Sequence, residues 1–282
     1  MDKAMLDFYS DVILSSFSRL TATNASALTD GTISHDRITR FLSSGPKSSR
    51  DLWYRVKPLV RSNQSKDGVL IVDDTIAPKP HMDENDIVCW HYDHTEGCHV
   101  KGINLLSVLY HSNDVTLPVG YVIVSKTETI IDADTGKQKR VSRISKNEHF
   151  RRLLGFCVKN MPFRYVFSDV WYASAENMKY IKRDLKRDFI MPLKSNRKVA
   201  LYHKALKQQC ALTRSPARTV ATQSSHIFCS LCAFIKLEML RVVTTVSYEG
   251  LKLNLYLHAL KTAFKHLRTL QPISWASKPI FA

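Results

Sequence analysis

The chain has 282 residues, with 41 Lys and Arg against 25 Asp and Glu, for a formal net charge of +16. That length buries one substantial core with smaller additions, and the positive field favours DNA, RNA or an anionic membrane surface as partner. A membrane-spanning helix is not expected, because no uninterrupted apolar run approaches the ~20 residues it needs. The first residues, Met1 to Asp7, lack the basic and apolar regions of a secretory signal. The expected location is therefore the cytoplasm, where the six cysteines stay reduced.

The first 60 residues read as a helical region. Apolar residues from Met5 to Leu20 recur close to a 3.6 period, which predicts a helix. A second helix is predicted after Ser34, whose hydroxyl suits an N-cap, and it carries Arg37 and Arg40 beside Ile38, Phe41 and Leu42. Two short helices about Asp30 and Gly31 could form a helix-turn-helix with both arginines toward a phosphate backbone. An ordinary small bundle with a solvated basic face fits the same residues. Ser43 to Ser49, with Gly45 and Pro46, reads as a loop.

From Gly68 strands and helices alternate. Val69 to Val72 is a buried-strand pattern that runs into Asp73, Asp74 and Thr75. Ile103–His111 and Thr116–Ser125 are further strand candidates, the latter with Pro118 marking an edge or bend, and with the first they suggest a meander. Lys146–Lys159 predicts an amphipathic helix, Tyr165–Phe167 a strand leading to Ser168 and Asp169, Ser174–Leu185 a helix capped by Ser174, and Phe189–Leu193 a last strand. This order is the ribonuclease-H-like arrangement of an α/β fold, a mixed sheet whose first and fourth strands lie adjacent. It would set Asp73 beside Asp169. Carboxylates delivered by strand ends suit divalent metals that serve phosphoryl transfer on nucleic acids, although each aspartate alone also suits a turn or helix cap. Cys229 and Cys232 have the spacing of a metal pair, but they fall in an apolar helical pattern from Ser225 to Arg241 and read as small core residues. That helix and the N-terminal helices should pack on the core. The expected organisation is a helical region over 1–60, a ribonuclease-H-like core over 68–199, and a helical C-terminal region over 200–282.

Over nearly its whole length the chain resembles the DDE transposases of bacterial insertion sequences. The likeness rests on Val72-Asp73-Asp74-Thr75, Trp90-His91-Tyr92-Asp93-His94, Val100-Lys101-Gly102-Ile103-Asn104 and Ser168-Asp169-Val170-Trp171-Tyr172. It continues through Tyr202-His203-Lys204-Ala205-Leu206-Lys207-Gln208 and Ser215-Pro216-Ala217-Arg218-Thr219. The resemblance implies a catalytic core that cleaves double-stranded DNA at element ends and transfers the freed 3′-hydroxyl to target DNA. Asp73 and Asp169 would be the first and second acids and the ligands of Mg²⁺ or Mn²⁺. Asp74 suits the first position less well, because the family pattern leaves one residue between the acid and a hydroxyl residue, here Thr75. Lys101, Lys194, Arg197, Lys204 and Lys207 are the expected phosphate contacts.

The family's third acid is a Glu in a Tyr-Arg-Glu-Lys signature, and counting back from Lys207 places those positions at Leu193, Asn196 and Ala200. None of the three residues matches. An internal deletion joining the last strand to the Tyr202 helix would explain the loss, and Glu238 is the acid that could replace it. Two metals about 3.5–4 Å apart need a carboxylate set that bridges and flanks them. The expectation is accordingly an inactive transposase in a bacterial, nucleoid-associated setting with weakly held metal. The alternative is a non-catalytic DNA-binding remnant that self-associates or inhibits a full-length transposase.

Overall fold

The computed structural model describes residues 2–270 apart from 17–19, 46, 94–95, 132–135, 137, 192–196 and 216–217, and describes only the backbone at 197–201, 268 and 270. Four helices come first: α1 (Lys3–Ser15), α2 (Ala22–Ala27), α3 (His35–Ser43) and α4 (Ser49–Asn63). Each starts where a short polar side chain caps the free amides of the first turn: Asp2, Thr21, Ser34 and Ser48. Ser48 and Asp51 complete a reciprocal capping box. Between α2 and α3, Asp30 and Gly31 both take positive φ, which turns the chain sharply. Arg37 and Arg40 lie exposed on α3, while Ile38, Phe41 and Leu42 are buried.

The centre is a mixed sheet. Its strands are β1 (Val69–Pro78), β2 (Val88–Asp93), β3 (Cys98–Ser112), β4 (Val115–Ile123), β7 (Tyr165–Ser168) and β8 (Asp188–Ile190). The order is β2-β3-β1-β7-β8, with β4 also on β3. β1 pairs antiparallel with β3 and parallel with β7, and β7 pairs parallel with β8. This is the predicted ribonuclease-H-like order: an antiparallel meander, then two parallel strands reached through helices. Val69 to Val72 face Tyr165 to Ser168 residue for residue. β3 shifts register against β4 between Val108 and Leu109, opposite Gly120 and Pro118, because proline has no amide for the ladder. Two short strands, β5 (Glu128–Ile131) and β6 (Gln138–Val141), form a separate pair.

Helix α5 (Lys146–Asn160) buries Phe150, Leu153, Leu154 and Cys157 and packs on β3 and β4. After β7 come a 3₁₀ turn (Val170–Tyr172), α6 (Ala175–Lys179) with Ser174 as cap, and a π-helical segment (Tyr180–Asp184). The described residues close with α7 (Arg197–Gln208), α8 (Val220–Thr244) and α9 (Tyr248–Leu270). Residues Gln223–Ile235 of α8 are buried all round, since α1, α3, α4, α7, α9 and β4 surround it. Cys229 and Cys232 lie in this buried stretch. Each fully buried Ile, Leu or Phe there contributes about 1.5–3 kcal/mol.

Three strand expectations need correction. β1 does not stop at the acids but runs on through Thr75, Ile76 and Ala77 to Pro78, because β3 is long enough to pair with all of it. β2 was not expected as a strand, since its polar and aromatic alternation hides a short apolar signal. The last strand is shorter than predicted and ends at Ile190; Leu193 lies outside the described residues.

Candidate active site

Asp73 and Asp74 are consecutive in a strand, so their side chains leave opposite faces of the sheet. On one face, Asp74 accepts hydrogen bonds from Lys146 Nζ at 2.7 Å and Asn104 Nδ2 at 2.6 Å through Oδ2, and from the Tyr172 hydroxyl at 2.7 Å through Oδ1. Burial pushes its carboxyl up, but Lys146, Asn104 and Tyr172 outweigh burial and hold it below the usual aspartate range. Both oxygens are committed. Asp74 therefore ties β1 to β3, to α5 and to the turn after β7.

On the opposite face no cation among the described residues makes such a contact with Asp73, and only the more distant charge of Lys146 works to lower its carboxyl. Burial first, then the charge of Asp74 and that of Asp169, push its carboxyl up to about 7. The nearest ring is that of His203 on α7, whose Nδ1 stands 3.5 Å from Asp73 Oδ2. Burial lowers His203 to about 4, so the ring is neutral near pH 7. Its Nε2 is buried and has no hydrogen-bond partner among the described residues.

Asp169 follows Ser168, the last residue of β7 paired with β1, just as Asp73 follows its partner Val72. The register thus carries both aspartates to the point where the parallel ladder ends. Asp169 is exposed and its carboxylate also caps the 3₁₀ turn through the Val170 amide. The two carboxylates, one half-buried and one exposed, suit a single hard cation that keeps several of its waters. Asp74 cannot join them, because its oxygens are taken and face the other way. Among the described residues, no group of three or more His, Cys, Asp or Glu side chains is arranged to hold a metal.

Other anticipated residues fall at varied places. Glu238 is not at this site: its fully buried carboxylate accepts from the Thr116 amide, Arg241 and the Tyr248 hydroxyl, joining α8 to β4 and α9. Thr116 lies opposite His111, four positions along β3 from Ser107, the partner of Asp73. Glu249 pairs with Lys204 at 3.3 Å, and Glu176 with Arg151 at 3.2 Å. Lys207 is half-buried on α7, and its charge helps to lower His203. Lys101 stands over the Trp90 ring at 5.9 Å. Lys194 lies outside the described residues, and so do the side chains of Arg197 and Ala200; Ala200 itself occupies α7, one turn before His203. Sequence reasoning assigned no role to His203 or Lys146. Their positions depend on contacts across 130 and 72 residues, which no local pattern encodes.

The profile described as DDE superfamily endonuclease matches residues 2–221. No curated protein sequence matches the chain. Among solved structures, the Drosophila P element transposase strand transfer complex aligns at 14% identity over 90% of this chain and 63% of that one, with a TM-score of 0.32. The chain thus spans less than two thirds of that protein's length. The profile match runs from the second residue through all of the sheet and into α8, and the chain belongs to the DDE superfamily of endonucleases.

Proposed function

We propose that the chain is a DNA transposase homologue whose strand-cleaving centre is incomplete. Membership of an endonuclease superfamily supports the reaction class. The observation that carries the reading is the register that brings Asp73 and Asp169 together where β1 and β7 part. These two residues would hold Mg²⁺ or Mn²⁺, which supplies Lewis acidity and an activated water when bound. Asp74 fixes β1 against α5 and keeps Asp73 at the ladder's end. The basic residues Lys101, Lys194, Arg197, Lys204 and Lys207 would hold the phosphates of element ends and target DNA. Lys204 shares its charge with Glu249 and contributes least.

The missing element is the third acid. Its counted position is Ala200, and the described glutamates around it in sequence, Glu176, Glu238 and Glu249, are all engaged elsewhere. Loss of a carboxylate weakens metal affinity and geometry together, and positioning is most of phosphoryl-transfer catalysis. An internal deletion between β8 and α7 is the origin we favour. The same molecule acts as a DNA-binding remnant, self-associating or blocking an intact transposase, if it binds element ends without cutting them.

The test is strand cleavage on linear DNA carrying candidate ends, with Mg²⁺ or Mn²⁺. Cleavage should be orders of magnitude below that of an intact homologue, with Asp73→Asn and Asp169→Asn abolishing what remains. Cutting at an ordinary rate that Asp73→Asn leaves unchanged would overturn the assignment.

A further inference from the structure

The β2–β3 pair carries aromatic and basic side chains that the site above does not use. Trp90 is directly opposite Lys101, and Tyr92 is directly opposite His99. Trp90 is 49% exposed and Tyr92 46%. Lys101 Nζ lies 5.9 Å from the Trp90 ring centroid, and the Tyr92 and His99 rings meet edge to face at 5.2 Å. These four side chains share one face of the sheet. By unbroken alternation along β3 from His99 through Lys101 to Ser107, the partner of Asp73, it is also the Asp73 face.

The intervening residues Cys89 and His91 point to the other face and are buried. The strand is therefore anchored by its inner residues, and the Lys126 ammonium donates to the Trp90 carbonyl at 2.6 Å. Trp90 itself lies outside the hydrophobic core. Side chains two residues apart on a strand stand about 7 Å from each other. That is about twice the 3.4 Å step between stacked nucleotides, so one base fits between the Trp90 and Tyr92 rings. Lys101 supplies the positive charge that a backbone phosphate needs. Six residue steps along β3 separate Lys101 from Ser107, at most about 20 Å, so the platform meets DNA flanking the acids rather than the reacting phosphate.

We propose that Trp90 and Tyr92, with Lys101 and His99, form a stacking platform for unpaired nucleobases of the DNA held at the Asp73–Asp169 centre. The inference rests on the DNA-binding reading given above and adds a preference for single-stranded tails over fully paired ends. Aromatic stacking serves such a role because every base presents a π-face, whatever the sequence.

The experiment titrates the full chain against a blunt duplex and the same duplex with a single-stranded tail, followed by fluorescence anisotropy. The wild type should prefer the tailed duplex by roughly tenfold, the usual worth of one stacked base. Trp90→Ala should remove that preference while leaving blunt-duplex affinity unchanged, and Trp90→Phe should keep most of it. A fluorescent purine analogue in the tail should be quenched by the wild type and by Trp90→Phe, which reads stacking without relying on the alanine variant's folding. Binding of both duplexes with equal affinity, or a preference that survives Trp90→Ala together with Tyr92→Ala, would overturn the platform while sparing the DNA-binding reading. Failure to bind either duplex would overturn both.

Discussion

Asp73 and Asp74 have the same chemistry and opposite surroundings. Asp74 is surrounded by donors, one of them the Lys146 ammonium, whereas Asp73 faces burial and like charge. Removing the first leaves a lysine, an amide and a hydroxyl without their acceptor; removing the second relieves repulsion. We expect Asp74→Ala to lower unfolding free energy by about 3 kcal/mol, and Asp73→Asn to raise it by about 1 kcal/mol, as relief of burial and like-charge repulsion does. Denaturant unfolding in the presence of a chelator measures both, and a larger loss for Asp73→Asn would contradict this division of roles. The acids themselves were legible in the sequence, as a run of apolar residues breaking into carboxylates. The sequence set Asp74 apart only as the less suitable first acid, by its spacing to Thr75. The Lys146, Asn104 and Tyr172 contacts that occupy its carboxylate needed the fold. Gly102 tells a similar story: a Cβ there would stand 2.5 Å from the Ala77 carbonyl oxygen, so the residue is set by the close approach of the paired strand β1, invisible in its sequence neighbours.

Among the elements, α8 shows how a buried polar group organises packing. Glu238 binds one residue on each of two neighbouring elements, Thr116 of β4 and Tyr248 of α9, and Arg241 within its own helix. Burial pushes its carboxyl up, yet hydrogen bonds from Arg241, Tyr248 and the Thr116 amide prevail and hold it below the ordinary glutamate range. A carboxyl depressed in the folded state stabilises above its unfolded pKa, and that contribution fades as pH falls through the folded value. Glu238→Gln should therefore cost about 3 kcal/mol at neutral pH. The gap in melting temperature from the wild type should close in acid, below the ordinary glutamate value. A gap independent of pH would show that packing, not charge, is the contribution. Elements with long apolar periodicity, such as α5 and α8, were readable in advance because burial and local pattern agree. β2, β5 and β6 were not: Val88–Asp93 gains its strand state from pairing with β3, and the exposed β5–β6 pair has almost no apolar signal.

For the whole molecule, a net charge of +16 makes association with DNA depend on released counterions. Log affinity should fall linearly with log salt. Lys207→Ala should reduce the slope by about one, and Lys204→Ala by less, because Glu249 already neutralises it. Equal slopes for both variants and the wild type would remove α7 from the phosphate-binding surface. The strand order was inferable because strand and helix signals alternate in a sequence that few topologies accommodate. What could not be inferred is which helix covers which face, since α7, α8 and the N-terminal helices meet the sheet through contacts between distant parts of the chain.

The position of β1 between β3 and β7 also bears on how the protein is made. Its antiparallel partner lies close behind it in sequence, but its parallel partner begins only at Tyr165. While the chain is being synthesised, β1 and β3 are available to each other well before β7 has emerged. One edge of β1 then stays open, a vulnerable state for a strand. The same delay means that Asp73 has no Asp169 to face. The nascent sheet is thus built before the acidic pair exists, and closure of the β1 edge and assembly of the pair are one event.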